Sequence, residues 1–129
     1  MKNAMTQIYA KNARSLYFEE VFRNAYNLVL HKHGELLYNG IIDTIIEYLQ
    51  VEASRVANKA NEHLLEELLQ GWEHHKTATL MFKDIFMYLD RVYVSQHNKA
   101  KVYNVGLKIY RDTVVYDAGI RERVRNILL

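Results

Sequence analysis

Residues 16–34 read LYFEEVFRNAYNLVLHKHG and predict a helix with two apolar faces. One face carries aliphatic side chains at the spacing of a helix that covers a core: Val21, Ala25, Leu28 and Val29. The other face is a row of aromatic side chains spaced i, i+4 and i+8: Phe18, Phe22 and Tyr26. A helix that only covers a core needs one such face. The aromatic row therefore indicates either deep burial, which is the more common reason for such a row, or a surface that binds a partner.

The composition limits the chain to one globular domain. Its 129 residues are 50% hydrophobic and 25% charged, which suits a single folded core and excludes a disordered chain. Because the chain has no proline and five glycines, long helices are permitted, and we expect an all-α fold. The absence of cysteine excludes a disulfide scaffold, a thiolate zinc site and a cysteine nucleophile, and it is consistent with a reducing compartment.

No targeting or membrane segment is predicted. No apolar run approaches the ~20 residues that a membrane span requires. Residues 1–14, MKNAMTQIYAKNAR, lack the apolar core of a secretory signal. We therefore expect a protein without a membrane partner.

Hydrophobic periodicity predicts a series of helices separated by glycines and polar runs. A first helix should end within residues 1–13, followed by a break at Asn12–Ser15. The later helices are predicted from Ser15 to about His33, Glu35 to Ala60, Glu62 to Ser95, Val102 to Asp117 and Ile120 to Leu129. Ser15 is the expected N-cap of the second helix. Gly34 is expected to end that helix in the left-handed conformation, and Gly119 to interrupt the last helical stretch.

The polar residues predict no catalytic, metal or cofactor site. His31 and His33 are two residues apart, so on a helix their side chains point in different directions and cannot share an ion. His75 is expected to be partly buried and hydrogen-bonded. No glycine-rich phosphate loop, HExxH or GxSxG motif occurs, and no nucleophile has an evident base. We therefore expect a non-enzymatic protein with no cofactor.

A second stretch, MFKDIFMYLDRVYV at residues 81–94, has charged residues among large apolar ones. Asp84, Asp90 and Arg91 are expected either to form ion pairs or to face a partner. Tyr88 and Arg91, spaced i, i+3, lie on one side of the predicted helix. Tyr and Arg are common anchors of interfaces, although exposed ones without a role are also frequent.

Positive charge is concentrated toward the C-terminal end. Residues 97–129 contain seven Lys or Arg against three Asp or Glu, whereas residues 1–96 contain ten against twelve. Such an excess usually forms a solvated face. The alternative is a helical nucleic-acid-binding surface built from Lys99, Lys101, Lys108, Arg111, Arg121, Arg123 and Arg125.

Several segments resemble the N-terminal domain of the cullin family, in the order and at about the spacing of that family. They are FEEVFRNAYNLVLHKHGELLYNG at residues 18–40, WEHHKTA at 72–78, MFKDIFMYLDRVYV at 81–94 and VYNVGLKIYRDTVV at 102–115. Within the family, the runs NAYNLVLHKHGE and DRVYV most resemble the third member, which receives BTB-domain adaptors.

This resemblance implies that residues 1–129 form one domain, the first cullin repeat, folded as a bundle of about five helices. It implies a scaffold role at the adaptor-docking end of a cullin-RING ubiquitin ligase, in cytoplasm and nucleus. In the BTB-binding members, the second and fifth helices present the adaptor surface, and the fifth corresponds to part of the predicted helix from Glu62 to Ser95. The matching positions in this chain are Leu16, Phe18, Glu19, Phe22, Tyr26, Tyr88 and Arg91.

The chain also departs from the family pattern. Tyr17 stands where the family typically has Ser, and Phe22 replaces a common Tyr, with the loss of one hydrogen bond of roughly 1 kcal/mol. The first helix is expected to be shortened, and nothing resembles the C-terminal cullin-homology region that holds the RING subunit. We therefore expect this chain to bind a BTB adaptor but no RING subunit, as a scaffold module or, alternatively, as a competitor or vestigial fragment.

Overall fold

The computed structural model describes residues 2–10 and 18–128, and within these ranges the chain is helical and has no strand. The helices are α1 (Lys2–Tyr9), α2 (Phe18–Leu30), α3 (Gly34–Ala57), α4 (Asn61–Ile85), α5 (Met87–Leu89), α6 (Val102–Tyr110) and α7 (Ala118–Leu128). Wide turns of π-helix follow α5 and α6, at Asp90–Val94 and Arg111–Val115. The predicted all-α fold is confirmed.

The two long helices, α3 and α4, form the centre of the bundle. Helix α3 contacts α1, α2, α4 and α6, and α4 contacts α1, α2, α6 and α7. Large side chains at these contacts are completely buried, among them Ile45, Leu49, Leu64 and Phe82. Because burial of one such side chain stabilises a fold by about 1.5–3 kcal/mol, this shared core holds the shorter helices in place.

The prediction of one uninterrupted fourth helix from Glu62 to Ser95 is wrong, because the structure has a break within this segment. Helix α4 ends at Ile85, and Phe86 has φ −101° and ψ 23°, outside helical values. The Phe86 side chain is nevertheless buried, near the ring of Phe82. The apolar rhythm continues through the break, which explains why periodicity did not reveal it.

The prediction for Gly34 is also wrong, because this residue begins α3 instead of ending α2. The left-handed residue in this connection is Lys32, with φ 65°. A Cβ atom at position 34 would lie 2.9 Å from Cδ2 of Tyr93, so the close approach of an aromatic ring requires glycine here. This glycine serves helix packing and not chain reversal.

The connection before α7 differs from the prediction as well. Gly119 lies inside α7, and the break falls at Tyr116 and Asp117. The Asp117 carboxylate accepts a hydrogen bond from the Ile120 N–H at 3.0 Å, which satisfies a free donor at the start of the helix. The predicted third helix likewise extended past the observed end of α3 at Ala57.

The connection between α1 and α2 lies outside the described residues, together with the predicted break at Asn12–Ser15 and the N-cap at Ser15. Helix α1 ends at Tyr9. The Nε2 atom of His74 lies 2.6 Å from the Tyr9 carbonyl oxygen and donates to it. This contact satisfies a carbonyl at the C-terminal end of α1 and fixes that end on α4.

Candidate docking surface

Helix α2 has the two faces that its sequence predicted. The aliphatic face lies in the core, where Ala25 is 3% exposed. The aromatic row is turned toward the surface, since Phe22 is half-buried and Tyr26 is 36% exposed. The side chain of Phe18, and Leu16 as a whole, lie outside the described residues. Their roles in a docking surface therefore stay predictions.

A contact between two tyrosines joins α2 to α5. The ring centroids of Tyr26 and Tyr88 lie 4.4 Å apart, with 40° between the ring planes, an arrangement within the range of favourable aromatic pairs. Tyr88 is half-buried and packs against the core, so it supports the more exposed Tyr26. Two of the site residues suggested by the sequence thus form one surface from two separate helices.

Arg91 lies one turn after Tyr88 and makes no ion pair within the described ranges. Its Nη2 atom donates to Sδ of Met87 at 3.7 Å, and a thioether is a weak acceptor. A depression of about 330 Å³ adjoins Arg91 and is lined by charges of both signs: Lys83, Lys101, Asp84 and Asp90. The guanidinium is consequently available to a stronger acceptor on a partner.

Asp90 is used inside the structure. Its Oδ1 atom accepts a hydrogen bond from the Val102 N–H, at the first residue of α6, over 3.0 Å. Burial raises the pKa of this carboxyl group, and the hydrogen bond opposes the shift. The contact ties the wide turn Asp90–Val94 to α6 and so fixes the backbone that carries Arg91. Asp84, in contrast, is exposed.

Glu19 lies on the solvent side of the aromatic row. Its carboxylate pairs with Arg23 of the same helix at 3.0 Å, and the two side chains are 86% and 64% exposed. Exposed pairs at this spacing typically contribute about 0.3–0.5 kcal/mol. The pair therefore marks the rim of the surface and adds little to the stability of α2.

Sequence reasoning did not identify Met87 as part of this surface. Its side chain is 43% exposed and lies one turn before Arg91. The i, i+4 spacing of the two residues was visible in the sequence, and an unbranched thioether suits adaptable contacts. The Asp90–Val102 contact had no comparable local signal, because it joins a side chain to a backbone N–H across a loop.

Residues of other candidate sites are dispersed or engaged elsewhere. Within residues 2–10 and 18–128, no three metal-ligating side chains cluster. No helix in these ranges has the length and apolar character to cross a membrane. Of the basic residues considered for nucleic acid, Arg111 pairs with Asp112 at 3.1 Å. Arg123 donates to the carbonyl oxygen of Ala57 at 2.7 Å and to that of Lys59, so it joins α7 to the end of α3.

Comparisons with known proteins show the family of this chain. The family model described as the cullin alpha solenoid domain matches residues 1–129. Over its whole length the chain is 45% identical to Cullin-3 of Dictyostelium discoideum, 44% to Cullin-3 of Caenorhabditis elegans and 42% to Cullin-3B of Arabidopsis thaliana. It spans 17%, 17% and 18% of the length of these three relatives. The chain therefore belongs to the cullin family.

Proposed function

We propose that this chain is a scaffold module that docks a BTB-domain substrate adaptor, as at the adaptor-binding end of a cullin-RING ubiquitin ligase. The observation that carries the proposal is the Tyr26–Tyr88 contact, which builds one partly exposed aromatic surface from α2 and α5. Family membership supports the same partner, as does the resemblance of residues 24–35 and 90–94 to BTB-binding cullins. In this proposal the module positions other proteins in the cytoplasm and nucleus and catalyses no reaction itself.

The chemistry of the surface suits a partner that inserts an apolar side chain. Tyrosine and arginine are over-represented among residues that dominate binding energy. Tyr26 and Tyr88 are already packed against each other, so little side-chain entropy is lost when a partner covers them. Arg91 supplies a donor beside them for a carbonyl or carboxylate. The remaining residues proposed for this surface are Leu16, Phe18, Glu19 and Phe22.

Calorimetric titration with a panel of BTB domains tests the proposal. The double variant Phe22→Ala and Tyr26→Ala should weaken binding by about 30-fold or more, since truncation of a dominant interface residue typically costs about 2 kcal/mol. The matched control is Tyr116→Ala, which removes a 53% exposed tyrosine from outside α2 and α5. This control should bind like the unmodified chain.

Folding is checked by far-UV circular dichroism, which should give the same helix content for all variants. Retained affinity in the double variant would show that the adaptor uses another surface. If no BTB domain in the panel binds the unmodified chain, the proposed function is wrong.

A further inference from the structure

A groove of about 680 Å³ lies between α1 and α4. Its apolar lining is Ile8 from α1 and Leu69, Ala78 and Met81 from α4. The polar part of the lining also comes from α4: Gln70, Glu73, His74 and Thr77. It shares no lining residue with the surface formed by Tyr26, Tyr88 and Arg91. The groove is therefore a separate feature that the proposed adaptor docking does not use.

Two exposed leucines lie on the outer side of α4. Leu65 is 40% exposed and Leu69 is 61% exposed, and they are one helical turn apart. The neighbouring Leu64 is completely buried, so the core is filled from a different face of the same helix. The two leucines thus form a second apolar stripe of α4. A pair at this spacing is the type of contact by which one helix binds another in a groove.

Carboxylates accompany these leucines along the outer side of α4. The three carboxylates are exposed: Glu62, Glu66 and Glu73. Counted from Glu62, they lie at i, i+4 and i+11, and Leu69 lies at i+7, so all four side chains are on the same side of the helix. Lys76 pairs with Glu73 at 3.3 Å while both side chains remain partly exposed, and Arg123 of α7 donates to the side chain of Asn61, next to Glu62. The Glu66 carboxylate accepts a hydrogen bond from the neutral side-chain amide of Gln70 at 3.3 Å. The Glu62 carboxylate lies 3.4 Å from the imidazole of His63. Within residues 2–10 and 18–128, Glu66 makes no ion pair, so unneutralised negative charge remains on the outer side of α4.

In the part of the chain that the structure describes, helix α1 on the opposite wall supplies no cation to these carboxylates. Helix α1, Lys2–Tyr9, contains no acidic residue, and its one cation, Lys2, pairs with Glu47 at 3.0 Å. The imidazole of His74, which also lines the groove, is bonded to the Tyr9 carbonyl. The groove consequently combines apolar lining residues with one lining carboxylate, Glu73, and Glu66 continues the acidic row along the outer side of α4.

We propose that this groove is a second interaction surface, which binds an amphipathic helix with a basic polar face from a partner protein. The apolar side chains of the helix pack on Leu65, Leu69 and the lining of the groove. Its Lys or Arg side chains pair with Glu66 and Glu73. Charge complementarity selects a basic helix over an acidic one, because like charges across an interface oppose association.

A synthetic fluorescent peptide of about four helical turns is the probe, with Leu on one face and Lys on the other. A second peptide carries Glu in place of Lys. Fluorescence anisotropy with the intact chain should show binding of the lysine peptide, weaker binding at higher salt, and no binding of the glutamate peptide. The variant Leu65→Ser with Leu69→Ser should weaken binding about tenfold or more, and Glu66→Gln with Glu73→Gln should weaken it several-fold.

The matched control is Leu36→Ser, at a leucine of α3 that is 73% exposed. This variant should bind the lysine peptide like the unmodified chain, and thermal melting should be unchanged for all variants because the altered residues are exposed. The proposal is overturned if the lysine peptide does not bind, if both peptides bind equally, or if the variants at Leu65 and Leu69 match the control. Neither peptide is a BTB domain, so failure here leaves the proposed adaptor docking unaffected.

Discussion

The buried contact between Tyr9 and His75 leads to a prediction about stability. His75 is 1% exposed, and its Nε2 atom lies 2.8 Å from the Gly106 carbonyl oxygen. Because a carbonyl can only accept, Nε2 carries the proton and donates. The unprotonated Nδ1 is then the acceptor for the Tyr9 hydroxyl at 3.1 Å. One imidazole therefore joins α4 to both α1 and α6, and the sequence-based expectation of a hydrogen-bonded His75 is confirmed.

Replacement of His75 by Phe keeps a ring and removes both hydrogen bonds. It leaves the Tyr9 hydroxyl and the Gly106 carbonyl buried without these partners, and each such group typically costs about 1–3 kcal/mol. We expect the free energy of unfolding to fall by about 2–4 kcal/mol, measured by urea denaturation followed by circular dichroism. In this background Tyr9→Phe removes a hydroxyl that has lost its partner. It should therefore cost about 1 kcal/mol less than Tyr9→Phe in the unmodified chain.

The two single variants and the double variant of Tyr9 and His75 form a double-mutant cycle. Its control is Tyr116→Phe, at an exposed tyrosine, which should change the free energy of unfolding by less than about 0.5 kcal/mol. If the effects of Tyr9→Phe and His75→Phe simply add, the two side chains are not coupled. That result would refute the hydrogen bond between the Tyr9 hydroxyl and Nδ1 of His75.

Two further predictions concern pH and close packing. Burial lowers the pKa of His75 from its ordinary value of 6.5, so below about pH 6.5 the unfolded chain takes up a proton that the folded chain does not. The free energy of unfolding should therefore decline as pH falls below that value, and His75 contributes at most about 1.4 kcal/mol per pH unit to the decline. Urea denaturation across this pH range should show a smaller decline for the His75→Phe variant than for the unmodified chain. Gly34→Ala places a Cβ 2.9–3.0 Å from Tyr93 side-chain atoms and should destabilise by about 1–3 kcal/mol, whereas Gly40→Ala meets nothing within 4 Å and should stabilise by about 0.5–1 kcal/mol. Thermal denaturation giving the same sign for both glycine variants would contradict the packing argument.

Local spacing predicted the features that depend on neighbours in the sequence. The period of α2 placed Ala25 in the core and turned Tyr26 away from it, as the structure confirms. The break at Phe86 was hidden because its buried side chain preserves the apolar rhythm. The reason for Gly34 was hidden because Tyr93, the residue that requires it, comes from a distant part of the chain.

Individual residues in the sequence predicted the candidate docking surface only in part. Periodicity identified the row in α2, and composition drew attention to Tyr88 and Arg91, but no spacing rule links two helices so far apart in sequence. The resemblance to cullins supplied that link, and the structure shows Tyr26 against Tyr88. The assignment of Leu16 depends on the resemblance alone, and that of Phe18 depends on the resemblance and on its place in the aromatic row.

The hydrogen bond from the Val102 N–H to the Asp90 carboxylate couples this backbone amide to the turn that carries Arg91. A protected amide exchanges its hydrogen for deuterium when its hydrogen bond opens. This bond opens when the wide turn Asp90–Val94 moves away from the start of α6 or when the Asp90 side chain rotates. A partner packed on Tyr88 and Arg91 restrains that turn. We therefore expect slower deuterium uptake at the Val102 amide when the docking surface is occupied, a measurement that needs no probe attached to the protein.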